Sequence, residues 1–95
     1  MDDTISHEVE ERRGAFVIAR DGRRIAELTY FHQGESVIVI NHTFVDESLR
    51  GHGIARKLLD AAVAWARANQ VRIIPECSYA RVVFARDASI REVLA

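Results

Sequence analysis

Leu49-Arg50-Gly51-His52-Gly53-Ile54-Ala55-Arg56-Lys57 is where the chain changes period, and its reading decides the fold. Upstream, Val37-Ile38-Val39-Ile40 is an unbroken β-branched run, the pattern of a central strand covered on both faces. Downstream, Ile54, Leu58, Leu59, Ala62, Trp65 and Ala66 form one apolar stripe at helical spacing over residues 53–69. Arg56, Lys57, Asp60 and Arg67 lie largely off that stripe. At ~1.5 Å per residue the helix spans roughly 25 Å, enough to cross a sheet. Val71-Arg72-Ile73-Ile74 then reads as a short strand ended by Pro75, which has no N–H for a ladder. A strand, crossover helix and strand in one sheet run parallel and right-handed.

The first half of the chain supplies the rest of the sheet. Residues 7–19 end in Ala15-Phe16-Val17-Ile18-Ala19, and Asp21-Gly22 marks a hairpin. Residues 24–32 place Ala26, Leu28 and Tyr30 on one face and Ile25 and Phe31 on the other. Gln33-Gly34-Glu35 turns the chain into residues 36–45. Three antiparallel strands are the simple reading, with Glu10-Glu11-Arg12-Arg13 as a solvated strand or bend. Residues 78–94 read as one or two short helices, with Tyr79, Val82 and Val83 turned inward. The expected fold is α/β: a mixed, mostly antiparallel sheet with a central crossover helix and short C-terminal helices. Residues 1–95 make one domain.

Charge narrows the function. With 13 basic and 14 acidic residues, net −1, the chain has no global field for nucleic acid. No segment holds the ~18 consecutive apolar residues of a membrane span. The opening Met1-Asp2-Asp3-Thr4 is acidic and does not read as a secretory signal. Cys77 is the one cysteine, which excludes an internal disulfide and a multi-cysteine zinc site. A free thiol and no targeting signal make the cytoplasm the expected compartment.

The glycine loop carries the chemistry. A helix amino terminus has unpaired N–H groups and partial positive charge. Glycines let that backbone approach an anion without Cβ atoms in the way. Arg50, Arg56 and Lys57 add full charges, so the stretch describes a pyrophosphate cradle after a strand. A bare Gly-x-Gly also serves as a tight strand-to-helix turn, with Arg56 and Lys57 in solvent. The loop is not a P-loop, which needs Gly-Lys-Ser/Thr at a longer spacing. Nor is it the dinucleotide fingerprint, whose third glycine falls here at Arg56.

Arg50-x-x-Gly53-x-Ala55 resembles the acetyl-CoA pyrophosphate motif of the Gcn5-related N-acetyltransferases. His42-Thr43-Phe44-Val45, the loop from Leu49 to Ala55, and Ile74-Pro75-Glu76-Cys77-Ser78-Tyr79 resemble, in order and spacing, a compact branch of that superfamily. The resemblance implies a minimal acetyltransferase-like fold with acetyl-CoA as cosubstrate. It places Arg50, Gly51, His52, Gly53, Ile54, Ala55 and Arg56 around the CoA pyrophosphate, and Val45 beside the pantetheine arm. Larger members have helices after the first strand that cover the acceptor, and Asp21-Gly22 leaves no room for them. The segment Ala80-Arg81-Val82-Val83-Phe84 departs from the family pattern.

Three side chains are candidates for chemistry. Cys77 follows the strand of residues 71–74, at the end of the sheet where ligand crevices form. A thiol there can take an acetyl group and pass it on, although a lone cysteine also serves as plain core. The resemblance marks Cys77 as the proposed catalytic residue. Histidine is the side chain whose reference pKa lies near neutrality, so His42 is a candidate base, or a histidine that fixes its strand end. Tyr79 is a candidate acid for the leaving thiolate, or a core tyrosine. His52 and Trp65 read as loop and core respectively. The expected reaction is acetyl transfer from acetyl-CoA to an amine on an unidentified small-molecule or protein acceptor. The alternative is a non-catalytic acyl-CoA-binding or protein-interaction module.

Overall fold

A computed structural model describes residues 4–95. Residues 1–3, which begin the stretch expected not to be a secretory signal, lie outside the described residues. In chain order come β1 (Ser6–Val9), β2 (Arg13–Arg20), β3 (Arg23–His32) and β4 (Val37–Val45). A 3-10 turn (Glu47–Leu49), α1 (Ile54–Ala68), β5 (Arg72–Pro75), α2 (Ser78–Arg86) and a second 3-10 turn (Ala88–Val93) follow. The five strands lie side by side in chain order; β1 to β4 are antiparallel and β5 runs parallel to β4.

The strand expected over residues 7–19 is two strands. The Glu10 N–H donates to the Arg13 carbonyl, 2.8 Å, and Glu11-Arg12 forms the bend between β1 and β2. The charge run is therefore a turn, and four antiparallel strands replace the three expected. Asp21 and Gly22 both have positive φ, 52° and 77°, the geometry a two-residue hairpin needs to match strand twist. Neither connection carries a helix.

One face of the sheet is covered. Phe16, Ile18, Leu28, Tyr30, Ile38 and Ile40 pack against the α1 residues Leu58, Leu59, Ala62, Val63 and Ala66. Ala80 and Phe84 of α2 and Ile90 and Val93 of the last turn close the same core. The α2 residues that point inward differ from those expected: Val82 is 46% exposed, and Tyr79 and Val83 only rim the core. Trp65 sits at the edge of the core, in an aromatic cluster with His7, Phe16 and Tyr30. Ala15, Val17 and Val39 are buried but belong to no part of that core. The run of residues 37–40, expected to be covered on both faces, is covered by a helix on one: Ile38 and Ile40 join the core, whereas Val39, paired with Phe31 of β3, is buried outside it.

One glycine is fixed by a neighbour rather than by its own backbone. Gly14 pairs with Tyr30, whose ring is 1% exposed and whose hydroxyl bonds the His7 Nε2 at 2.7 Å. A Cβ on Gly14 would lie 2.8 Å from the ring Cε2 and closer still to the hydroxyl. Strand propensity alone favours alanine over glycine. Gly14→Ala should instead destabilise the protein by about 1–3 kcal/mol, the usual cost of overpacking. A lower urea midpoint with loss of near-ultraviolet tyrosine and tryptophan ellipticity is the expected result; an unchanged midpoint refutes it.

Candidate functional site

The site begins where β4 and β5 part. Their pairing ends at Ile40↔Pro75, and the N–H groups of Glu76 and Cys77 both fold back onto the Ile40 carbonyl, at 2.9 and 3.0 Å. Residues 41–45 of β4 continue with β3 as their only strand partner, leaving a wedge on the β5 side. A register shift between Thr29 and Tyr30 sets Thr29 against His42 and Leu28 against Thr43. Thr43 and Val45 consequently face the α1 side, whereas His42 and Phe44 face the open side.

Beyond Val45 the chain builds the cradle. Asp46 caps the first 3-10 turn: the Ser48 N–H and hydroxyl donate to its Oδ1 at 3.0 and 2.7 Å, and Arg23 pairs with its other oxygen at 3.1 Å. The Ser48 hydroxyl and amide hydrogen bonds, with smaller help from Arg23, hold the Asp46 carboxyl below its usual range. Gly51 and Gly53 adopt φ of 87° and 71°, and a Cβ on either would meet nothing within 4 Å. Backbone conformation and open space in front of the loop are therefore what these positions need. α1 has no side-chain cap on Gly53 and no acid in its first turn. Its first intrahelical bond is from Lys57 N–H to the Gly53 carbonyl, 3.2 Å, so the earlier N–H groups have no partner within the helix. A cleft of about 200 Å³ opens onto them, lined by Val45, Leu49, Arg50, Ala55, Arg56 and Tyr79 together with the glycines.

The two arginines of the loop are already engaged. Arg50 Nε donates to the Val45 carbonyl at 3.4 Å, bracing the loop against β4. Arg56 donates to Asp60 at 2.8 Å and also to Asp87, beyond α2. Asp60 first, then Asp87, raise the Arg56 pKa further above its ordinary value. His52 is exposed. The structure thus gathers Val45 and residues 50, 51 and 53–56 at one cleft, whose lining does not include His52.

Cys77 caps α2. Its Sγ accepts the Ala80 N–H at 3.4 Å and lies 3.4 Å from Thr43 Oγ1, half-buried against the core. Tyr79 is one turn into the same cleft, and burial, ahead of the opposing effect of Arg56, pushes its phenol pKa up. Cys77 and Tyr79 therefore stand on the cleft side. His42, next to Thr43 on β4, points to the other face, with its Nε2 4.0 Å from Glu27. The structure does not bring His42 to Cys77. Thr43 and Asp87 are the site residues that sequence reading passed over. Thr43 stood inside the quoted His42-Thr43-Phe44-Val45 segment, and Asp87-x-Ser89 carries the spacing of a side-chain cap.

The family model for GCN5-related N-acetyltransferases matches residues 15–93, and the chain belongs to that family. A GCN5-like protein from Staphylococcus aureus, solved in solution, superposes with TM-score 0.75 at 32% identity, covering 100% of this chain and 91% of that one. The aminoglycoside N-acetyltransferase AAC(6')-Iy in complex with CoA gives TM-score 0.61 at 20% identity, over 80% of this chain and 67% of that one. Ribosomal-protein-alanine N-acetyltransferase from Brucella melitensis biovar Abortus 2308 gives 0.66 at 17%, over 90% and 64%. The latter two likenesses are of fold. None of the curated proteins matches this chain in sequence.

Asp87 gives the site a pH signature. Bonds from the Ser89 hydroxyl, then from Arg56, then from the Ser89 N–H bring its carboxyl from 3.8 down to about 2. A depressed carboxyl pKa stabilises the fold above the unfolded value and loses that contribution as pH falls through the folded one. Wild type should therefore exceed Asp87→Asn in stability at pH 6, with the gap closing between about pH 4 and pH 2. Urea titrations followed by circular dichroism read the gap, and a gap independent of pH refutes the assignment.

Proposed function

We propose that the protein is an acetyl-CoA-dependent N-acetyltransferase. The observation that carries this is the start of α1: a helix whose free N–H groups face a cleft, with glycines before them, basic residues around them and no acid in the first turn. An anion there meets partial positive charge and unpaired donors together. Acetyl-CoA fits this arrangement, with its pyrophosphate at residues 51–56 and its thioester toward the wedge beside Val45 and Cys77. The CoA complex of the aminoglycoside acetyltransferase of the same fold supports the choice.

In the transfer, an amine lone pair forms the N–C bond, the C–S bond breaks, the amine loses a proton and the CoA thiolate gains one. Tyr79, kept protonated by burial, is the donor available on the cleft side. Cys77 serves as a relay: its sulfur takes the acetyl group as a thioester while the C–S bond to CoA breaks, its proton passing by way of Tyr79 to the CoA sulfur. The amine then attacks the Cys77 thioester, and the proton the amine loses returns to the Cys77 sulfur. The N–H of Ala80, in the first turn of α2, points at that sulfur from 3.4 Å and fixes its position. His42, on the opposite face, is placed to accept a proton from an amine arriving from that side. Cytoplasmic residence belongs to the same proposal and rests on the free thiol.

Acetyl-CoA and CoA should both stabilise the protein, since they share the pyrophosphate. At ~100 times the dissociation constant the gain is about 2.7 kcal/mol, which for a chain of this size raises the melting temperature by about 10 °C or more. Gly53→Val should remove most of that shift, whereas Arg56→Ala should retain most of it while lowering the unliganded melting temperature. No shift at millimolar acetyl-CoA ends the cosubstrate assignment.

Acetyl-CoA should add one acetyl group to wild type by intact mass, labile to hydroxylamine and absent from Cys77→Ala. Equal CoA release with amines by wild type and Cys77→Ala, and no adduct, would show direct attack by the amine.

A further inference from the structure

The open face of the sheet carries a feature that the acetyl-donor cleft does not use. Across the strands, Glu8, Ala15, Thr29 and His42 stand in one row. The neighbouring rows are bulkier: Glu27 and Phe44 on one side, Arg13 and Phe31 on the other. Ala15 and Thr29 thus form the floor of a trough of about 460 Å³ whose lining extends from Glu8 and Glu10 to Asn41. It runs across the strands from β1 to β4, three interstrand spacings or roughly 14 Å. Its inner end, Asn41, is the first residue of β4 beyond the last pair with β5. The trough therefore leads to the same parting of strands that Thr43 and Cys77 flank from the other face.

We propose that this trough seats the acceptor, and that the acceptor is an extended peptide segment bearing the amine. The inference deepens the transferase reading and rests on it. Small-molecule pockets enclose 70–90% of their ligand, by general experience. A trough that is only partly enclosed covers less of its occupant than such a pocket does, so affinity gains from length along it. About four residues of extended chain fit in 14 Å at about 3.3 Å each. The lining suits such a chain. Thr29 Oγ1 and Asn41 Oδ1, 2.7 Å apart, put a hydroxyl and a carboxamide on the floor. Phe31, 37% exposed, offers an apolar wall. At the β1 end the charges are paired in both signs, Glu10 with Arg13 at 3.3 Å and Arg24 with Glu27 at 3.0 Å and with Glu8. Mixed-sign polar groups match a chain of mixed polarity; a polyanion would meet Glu8, Glu10 and Glu27.

The test uses the full ¹⁵N-labelled chain, with and without saturating CoA. It is titrated with a lysine-containing pentapeptide with blocked termini and, separately, with n-butylamine. The pentapeptide should move the amides of Ala15, Thr29, Phe31 and Asn41 and bind at least about tenfold more tightly than n-butylamine. Ala15→Leu, which fills the floor, should abolish that tenfold preference and leave the CoA-induced shifts at residues 51–55 unchanged. Thr29→Val, nearly isosteric, is the second floor variant should Ala15→Leu not fold. Val82→Ser on α2 should behave as wild type. Equal binding of peptide and n-butylamine, peptide shifts outside the trough, or binding undiminished in the floor variants overturns the proposal. A failure of CoA itself to move residues 51–55 defeats the transferase reading instead, and the peptide titration without CoA still decides whether the trough binds.

Discussion

Two N–H groups, of Glu76 and Cys77, converge on the carbonyl of Ile40, and the site depends on that convergence. The N–H groups of Arg72 and Glu76 donate to the Ser36 and Ile40 carbonyls, so Pro75, between them, turns its nitrogen away from β4; the second bond to Ile40, from the Cys77 N–H, is what ends the ladder and turns the chain away. β4 is long enough to go on without β5, because β3 still pairs with it as far as Val45. The sheet therefore opens into a wedge without unravelling. The same turn begins α2, brings Cys77 against Thr43 and puts Tyr79 in the cleft beside α1. A longer β5 would close the wedge and leave the glycine loop as a bare turn.

The amino end of α1 shows the opposite kind of constraint. A helix start that carries basic residues and lacks acids forgoes about 0.3–1 kcal/mol for each missing or unfavourable charge, and a glycine in place of a side-chain cap forgoes about a few tenths of a kcal/mol more. Burial of Leu58, Leu59, Val63 and the smaller Ala62 and Ala66 outweighs this, at roughly 1.5–3 kcal/mol for each large side chain. Two ion pairs hold Arg56 meanwhile, one local at i,i+4 and one reaching Asp87 past α2. The second ties the cradle to the C-terminal turn, whose Leu94 bridges β5 at Ile73. Features that cost a helix stability and remain at its ligand-facing end are where local rules are expected to yield to function.

The legible parts of the sequence were the local ones. The α1 stripe, the β-branched run of β4, the turn at Asp21-Gly22 and the order of strands follow from periodicity and turn chemistry within a few residues. What escaped depends on partners far along the chain. The bend at Glu11-Arg12 reads as strand until β1 folds back onto β2. Gly14 reads as a weak strand residue until Tyr30 lies over it. His42 and Thr43 face opposite ways because they are neighbours on a strand, but the register shift near Asn41 decides which of them takes the α1 side, and no spacing in the sequence announces it. Val63 and Ala80 are buried because α2 and the final turn widen the covered surface beyond a single stripe. The family motif located the cleft because its glycines are read locally; Asp87, which holds Arg56, lies 31 positions away.

The two faces of the sheet divide the work between shape and charge. On the α1 side the polar groups are few and the apolar side chains interlock, so the donor cleft is bounded by rigid elements. On the other side, among the described residues, no second layer packs over Ala15, Val17 and Val39. What keeps that face from behaving as a sticky surface is the arrangement of its charges: Arg24 bridges Glu8 and Glu27 across β1, β2 and β3. Charged side chains over small floor residues hinder sheet-on-sheet association while leaving the floor reachable. A helical layer there would bury that floor. The two-residue and three-residue connections carry no helix, so the side chains of the strands themselves form the surface. The parting of β4 from β5 is then the only route by which the two faces meet among the described elements, and it lies where Asn41 and Cys77 approach the strand ends from opposite sides.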